Sequence, residues 1–223
     1  MPLFFFVSGF LAYKASQVRN MKNWGTLVGK KLRVQIIPTV VFFFLATAIL
    51  NKNFWPAVVS NFHLSTKGGY WFTIALLYMF LIYYTFAYLE SKLKWKSWIP
   101  ITLLFIVSMC FYETNYQPKY FSWAIGYKKA KTDLCYFLQD STFLQVFLYF
   151  PFFLYGNIVH RYWEKAQKVM ESKWFFPIVV VIVVWATFDA LKWHHLRMAW
   201  AIIPLTVSRF GLLTITFMYF YQS

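Results

Sequence analysis

The sequence predicts an all-α fold: a polytopic bundle of transmembrane helices with about six full spans and a partial one at the amino terminus. Three observations predict it. Of 223 residues, 60% are hydrophobic and only 13% are charged, whereas soluble domains carry about 45–50% apolar and about 25% charged residues. One domain of this size has no core able to bury that excess. The apolar residues fall in runs near the ~20 residues needed to cross a bilayer. The basic residues gather in alternate segments between those runs. Disorder is excluded by 27 Phe, 16 Tyr and 11 Trp, the opposite of a disordered composition.

The runs lie at 2–13, 34–51, 71–89, 97–112, 143–160, 174–191 and 199–221. The first is too short to span and reads as the back half of a helix. It is not a signal peptide, because its basic stretch follows the apolar run instead of preceding it. The other six meet or approach spanning length, and 1–223 reads as a single transmembrane domain, incomplete at both ends. Trp55, Trp71, Trp98, Trp163, Trp174, Trp193 and Trp200 fall at or just beyond the run ends, as interfacial aromatic belts do. Pro38, Pro151 and Pro204 fall inside runs, where neighbouring groups can re-satisfy the interrupted backbone. The segment 113–142 reads as a long outer loop.

Charge orients the bundle. The net charge is +15, from 22 Lys and Arg against 7 acids. In a soluble chain that balance would suggest nucleic acid, but no nucleic-acid motif is present and no nucleic-acid partner is expected. Segments 14–33, 90–96 and 161–173 carry 13 of the 22 basic residues. By the positive-inside rule these three alternate loops are cytoplasmic, next to anionic lipid. Cys110 and Cys135 give neither a metal spacing nor a disulfide framework, and no metal site is expected.

Polar residues inside apolar runs are costly and are candidates for function. Arg209, near the middle of 199–221, is the clearest. It reads as a site residue, as a structural pair with Asp189, or as a side chain reaching for the interface. Ser8 and Gly9 break an aromatic run and fit helix packing, since glycine lets backbones approach and serine bonds across helices. Lys30, Lys31 and Arg33 stand at the start of the span beginning at Val34. Their plain reading is topology and lipid contact; their functional reading is capture of an anionic cytosolic donor. His63, His160, His194 and His195 lie at run ends or in loops, with no acid adjacent in sequence to orient a base. No serine-nucleophile motif or phosphate loop is present.

At three places the sequence resembles the bacterial membrane acyltransferase family three, which includes O-acetyltransferases of surface polysaccharides. Met1-Pro2-Leu3-Phe4-Phe5-Phe6-Val7-Ser8-Gly9-Phe10 looks like its second transmembrane helix. Lys30 and Arg33, followed by Ile37-Pro38, resemble its basic pair spaced three apart before a proline-entered helix. Tyr70-Trp71-Phe72-Thr73 resembles its Trp-Phe motif. The motifs cover about the first 90 residues.

The resemblance implies transfer of an acyl, typically acetyl, group from a coenzyme A thioester to a hydroxyl of a cell-surface or lipid-linked carbohydrate. Acyl-CoA is then a co-substrate, and no bound cofactor is implied. It places Lys30 and Arg33 at the acyl-CoA phosphates, Ser8 and Trp71 in the substrate pocket, and the protein in a bacterial inner membrane; Arg209 matches no motif of the family, and its candidacy for the pocket rests on its position inside an apolar run. It also implies a catalytic His in a preceding helix, ten residues after a basic residue. The helix that would carry this His is not among residues 1–223, so the chain by itself is expected to lack its base. The rival class is a transporter or flippase-like protein with Arg209 lining a path for an anionic substrate; inverted repeats would mark it, and none is evident.

Overall fold

The computed structural model describes residues 1–13, 18–50, 53–63, 69–93, 95–115, 137, 138, 140–195 and 202–222, with the side chains of 193–195 and 222 left aside. The described elements are helical: α1 (Pro2–Ala12), α2 (Met21–Lys31), a π turn (Leu32–Ile36), α3 (Ile37–Leu50), α4 (Phe54–His63), α5 (Trp71–Lys92), α6 (Trp98–Asn115), α7 (Phe143–Arg161), α8 (Trp163–Met170), α9 (Phe175–His195) and α10 (Ile202–Gln222). Six stretches are long and apolar enough to cross a membrane: Met21–Leu50, Trp71–Lys92, Trp98–Asn115, Phe143–Arg161, Phe175–Lys192 and Ile202–Tyr221, with Pro2–Ala12 a shorter apolar helix. The all-α transmembrane bundle expected from composition is what forms.

Two expectations need correcting. The basic stretch 14–33 is not a loop in its second half, because α2 begins at Met21 and runs through the π turn into α3 as one helical stretch of 30 residues. Basic and polar side chains read as a loop in sequence, but Lys, Met and Leu are good helix formers, and nothing in 21–37 stops a helix. The break that proline requires is met differently. Pro38 lacks an N–H and crowds the carbonyl four residues before it. The wider π turn just upstream is one of the recognised ways a helix absorbs such a defect. Likewise 161–173 is not all loop, since α8 occupies Trp163–Met170. Most of 113–142, with Lys14, Lys94, Cys135 and Trp200, lies outside the described residues.

The chain divides into two compact units. One comprises Met1–Tyr13 with Phe152–Ser223, the other Lys14–Pro151. In the first, α1 packs on the second half of α7, while α9 and α10 form an antiparallel pair. Its core is aromatic: Phe5, Phe6, Phe152 and Phe153 are essentially fully buried, with Leu154 and Met218. Phe6 meets Phe217 edge-on at 4.9 Å, and Phe152 stacks on Phe210 at 4.6 Å. Thr187 and Ser208 hydroxyls bond at 2.8 Å between α9 and α10.

In the second unit α2 and the π turn lie along α5, and α3 packs against α4. The first half of α7 lies beside α6, with Phe111 stacked on Phe147 at 4.6 Å and Asn115 Nδ2 donating to the Leu144 carbonyl at 3.4 Å. Met79, Phe80, Tyr83, Ile101 and Tyr112 are buried there.

Candidate functional site

The basic residues of α2 are positioned by α5. The start of α5 is set by Gly69, whose φ of +97° is open to glycine and strained for other residues. Tyr70 then takes two hydrogen bonds on its carbonyl, from the Thr73 backbone N–H at 3.2 Å and the Thr73 hydroxyl at 2.9 Å. Trp71 is thus the first helical residue, half-buried, with its ring stacked on Tyr149 at 5.7 Å.

Three contacts fix the antiparallel register against α5. Trp24 Nε1 donates to Thr85 Oγ1 at 3.3 Å, Lys31 Nζ sits 3.7 Å over the Phe80 ring, and Gln35 Nε2 donates to the Thr73 carbonyl at 2.9 Å. A cation over a desolvated ring contributes about 0.5–2 kcal/mol, and Phe80 is buried.

This register sets the basic cluster against the side of α5. Lys30 and Arg33 lie inside a helical stretch that begins at Met21 and not at Val34. They flank Lys31, which lies opposite Phe80, the tenth of the 22 residues of α5. At ~1.5 Å per residue that is about 13 Å along α5 from Trp71. Lys30 and Arg33 are exposed and free to meet a ligand, whereas Lys31 is held on the aromatic ring. Arg33 and Gln35 both belong to the π turn, a distortion found disproportionately at functional sites.

In the other unit, Ser8 is half-buried on α1 beside the buried Gly9. A Cβ on Gly9 would overlap the Phe153 carbonyl, and one on Gly156 would overlap the Phe6 carbonyl. Two helix backbones therefore touch directly, as the missing side chains at both positions require. Asn157 Nδ2 bridges the crossing to the Gly9 carbonyl at 3.3 Å. His160 donates from Nδ1 to the Phe10 carbonyl and stacks on the Phe10 ring at 4.3 Å, and the Arg161 guanidinium lies 5.4 Å over Tyr13.

Arg209 is half-buried on α10, next to the buried Ser208. The Thr187–Ser208 bond sets Asp189 on α9 roughly level with Thr206, about one turn from Arg209.

Some of these residues escaped sequence reasoning. Gln35 looks like an ordinary polar residue at the start of an apolar run, and only the partner carbonyl reveals it. Asn157 sits inside the run 143–160 and is fully buried with Oδ1 unpaired among the described residues; its polarity in that run was the available signal. His63 has an acid after all, since Nδ1 lies 3.2 Å from Asp140 Oδ2, 77 residues away. No group of His, Cys, Asp and Glu able to hold a metal occurs among the described residues.

Apolar spans, alternating units of helix packing and a basic cluster beside an aromatic-rich helix define a multi-pass membrane protein. The family model of acyltransferase family three, described as an acyltransferase domain, matches residues 1–222. The chain belongs to this family and is a membrane acyltransferase acting on groups other than aminoacyl groups. Comparison with curated proteins and with solved structures finds no match.

Proposed function

We propose that this acyltransferase moves an acyl group, typically acetyl, from acyl-CoA to a hydroxyl of a cell-surface or lipid-linked carbohydrate, in a bacterial inner membrane. The observation that carries the donor half is the exposed pair Lys30 and Arg33, held alongside α5 by Trp24, Lys31 and Gln35. Arg offers phosphate a planar fork and Lys a point charge. On a helix anchored by its neighbours both pay little ordering cost when the donor arrives.

In the reaction the acceptor oxygen attacks the thioester carbonyl carbon. The new C–O bond forms, the C–S bond breaks, the thiolate leaves with the electron pair, and a general base takes the hydroxyl proton. Cations beside the carbonyl oxygen and the phosphates stabilise the charge that develops. Ser8, Trp71 and Arg209 are the further candidates for the pocket. The Trp71 indole, stacked on Tyr149, offers a flat apolar wall suited to a sugar face or an acyl chain. The segments 14–33, 90–96 and 161–173 are proposed to face the cytoplasm, where acyl-CoA is made.

The test is transfer of labelled acetyl from acetyl-CoA in membranes carrying the protein. Changing Lys30 and Arg33 together to Ala should raise the donor KM about tenfold or more, the loss of one or two charge-assisted bonds, with the amount of inserted protein unchanged. Unaltered donor kinetics in the double variant would refute the donor assignment.

A further inference from the structure

The unit built from α1, the end of α7, α8, α9 and α10 holds a half-open cavity of about 300 Å³ that none of the residues proposed for acyl transfer lines. That volume is at the lower end of the range for ligand sites. Its wall is apolar: Phe6 of α1, Ile158 and Val159 of α7, Val169 of α8 and Phe217 of α10. The Tyr155 and Thr214 hydroxyls on the wall satisfy each other at 2.8 Å, while the Tyr162 hydroxyl, also on the wall, is buried with no hydrogen-bond partner among the described residues. One cation, Lys165, is exposed and lines it.

The helix roofing this cavity, α8, is amphipathic. Glu164, Lys165 and Lys168 are exposed, while Met170 is buried and Trp163 packs edge-on against Phe10 at 5.5 Å and Tyr221 at 5.0 Å. A short helix with a charged face, a tryptophan and a buried apolar face is suited to lying in the membrane interface. From Arg161 to Lys173 four basic side chains, Arg161, Lys165, Lys168 and Lys173, stand against Glu164 and Glu171. Glu171 already accepts from Gln167 at 2.8 Å. An apolar interior beneath a cationic rim matches a molecule with a hydrocarbon tail and a single anionic head.

We propose that this cavity binds one acyl chain of an anionic phospholipid, with its phosphate at Lys165. A coenzyme A thioester fits less well. It brings a nucleotide and several phosphates, whereas the cavity wall presents one lysine. The site is distinct from the residues assigned to acyl transfer, so its failure leaves that assignment standing.

The test uses the full chain in phosphatidylcholine nanodiscs carrying a trace of phosphatidylglycerol with a diazirine in one acyl chain. After photolysis, labelled peptides should map to 155–170 and to the segment around Phe217. Lys165→Glu should cut labelling there several-fold, Lys165→Arg should restore it, and the matching phosphatidylcholine probe should label weakly and without regard to residue 165. Ala166→Phe, which fills the cavity, should abolish labelling. If that variant does not fold by size exclusion, the two Lys165 variants decide alone. Equal labelling by both lipids, indifferent to Lys165, would show bulk lipid contact only and overturn the proposal. Displacement by palmitoyl-CoA but not by excess unlabelled phosphatidylglycerol would overturn it in favour of the acyl donor.

Discussion

The stretch Met21–Leu50 is more apolar over its best window than α7, yet 11% of that window is buried against 56% for α7. In water the more apolar helix would be the more buried one. In a bilayer the lipid tails are as apolar as leucine, so apolarity brings a helix into the membrane but does not drive it against its neighbours. Close packing is instead marked by small residues and by polar side chains with partners. α7 has both in Gly156 and Asn157, and Gly9 answers them from α1. The glycines of α2, Gly25 and Gly29, have nothing within 4 Å of where a Cβ would stand. One helix is a packing element, and the other presents its side chains outward, which is where a binding pair is useful.

That contrast breaks most visibly at the glycines. Gly156→Leu should abolish monodisperse protein in detergent, because even a Cβ there collides with the Phe6 backbone and backbone cannot step aside as a flexible side chain can. If Gly156→Leu remains folded and thermally unchanged, the direct backbone crossing is wrong. Next in size is Phe153→Ala, which leaves a hole in a fully buried position and should cost about 3 kcal/mol, seen as an earlier tryptophan-fluorescence melt. Phe42→Ala on the exposed face of α3 should shift the same melt by less than about 0.5 kcal/mol. Asn157→Ala should cost about 0.6 kcal/mol and no more than about 1.7, the average and the upper end for hydrogen bonds between membrane helices. An unshifted melt in this variant would mean that the Gly9 bond contributes nothing. Opposite in sign is Gly29→Ala in α2. It removes backbone freedom from an open position and should be neutral or stabilising by up to about 1 kcal/mol; a marked loss of stability would show that α2 is packed after all.

The spans were legible because length and apolarity are local properties that any window of sequence carries. The run 71–89 became Trp71–Lys92, and 143–160 became Phe143–Arg161. The motif residues Ser8, Lys30, Arg33 and Trp71 were also visible, as types at particular spacings. Their neighbours were not. Gly9 meets a carbonyl 144 residues away and His63 an acid 77 residues away, and such pairings follow from packing that no local pattern encodes. The helical nature of 21–33 was hidden for another reason. Polar composition marks exposure, and exposure alone does not separate a loop from a helix that faces outward.

The π turn at Leu32–Ile36 also acts as a phase shifter. Each residue advances a helix by about 100°, and a π turn accommodates roughly one residue more than an α turn, so everything before it is rotated relative to everything after it. Deleting one residue of the turn, such as Val34, removes that excess and leaves the two halves in phase, whereas closing all of its residues into plain α-helix would swing Met21–Lys31 by about 100° around its axis. Trp24 would leave Thr85 and Lys31 would leave Phe80, with every residue type still present. The angular setting of the basic pair is thus stored in the wider turn between Lys31 and Pro38, and tightening it to an α turn erases it.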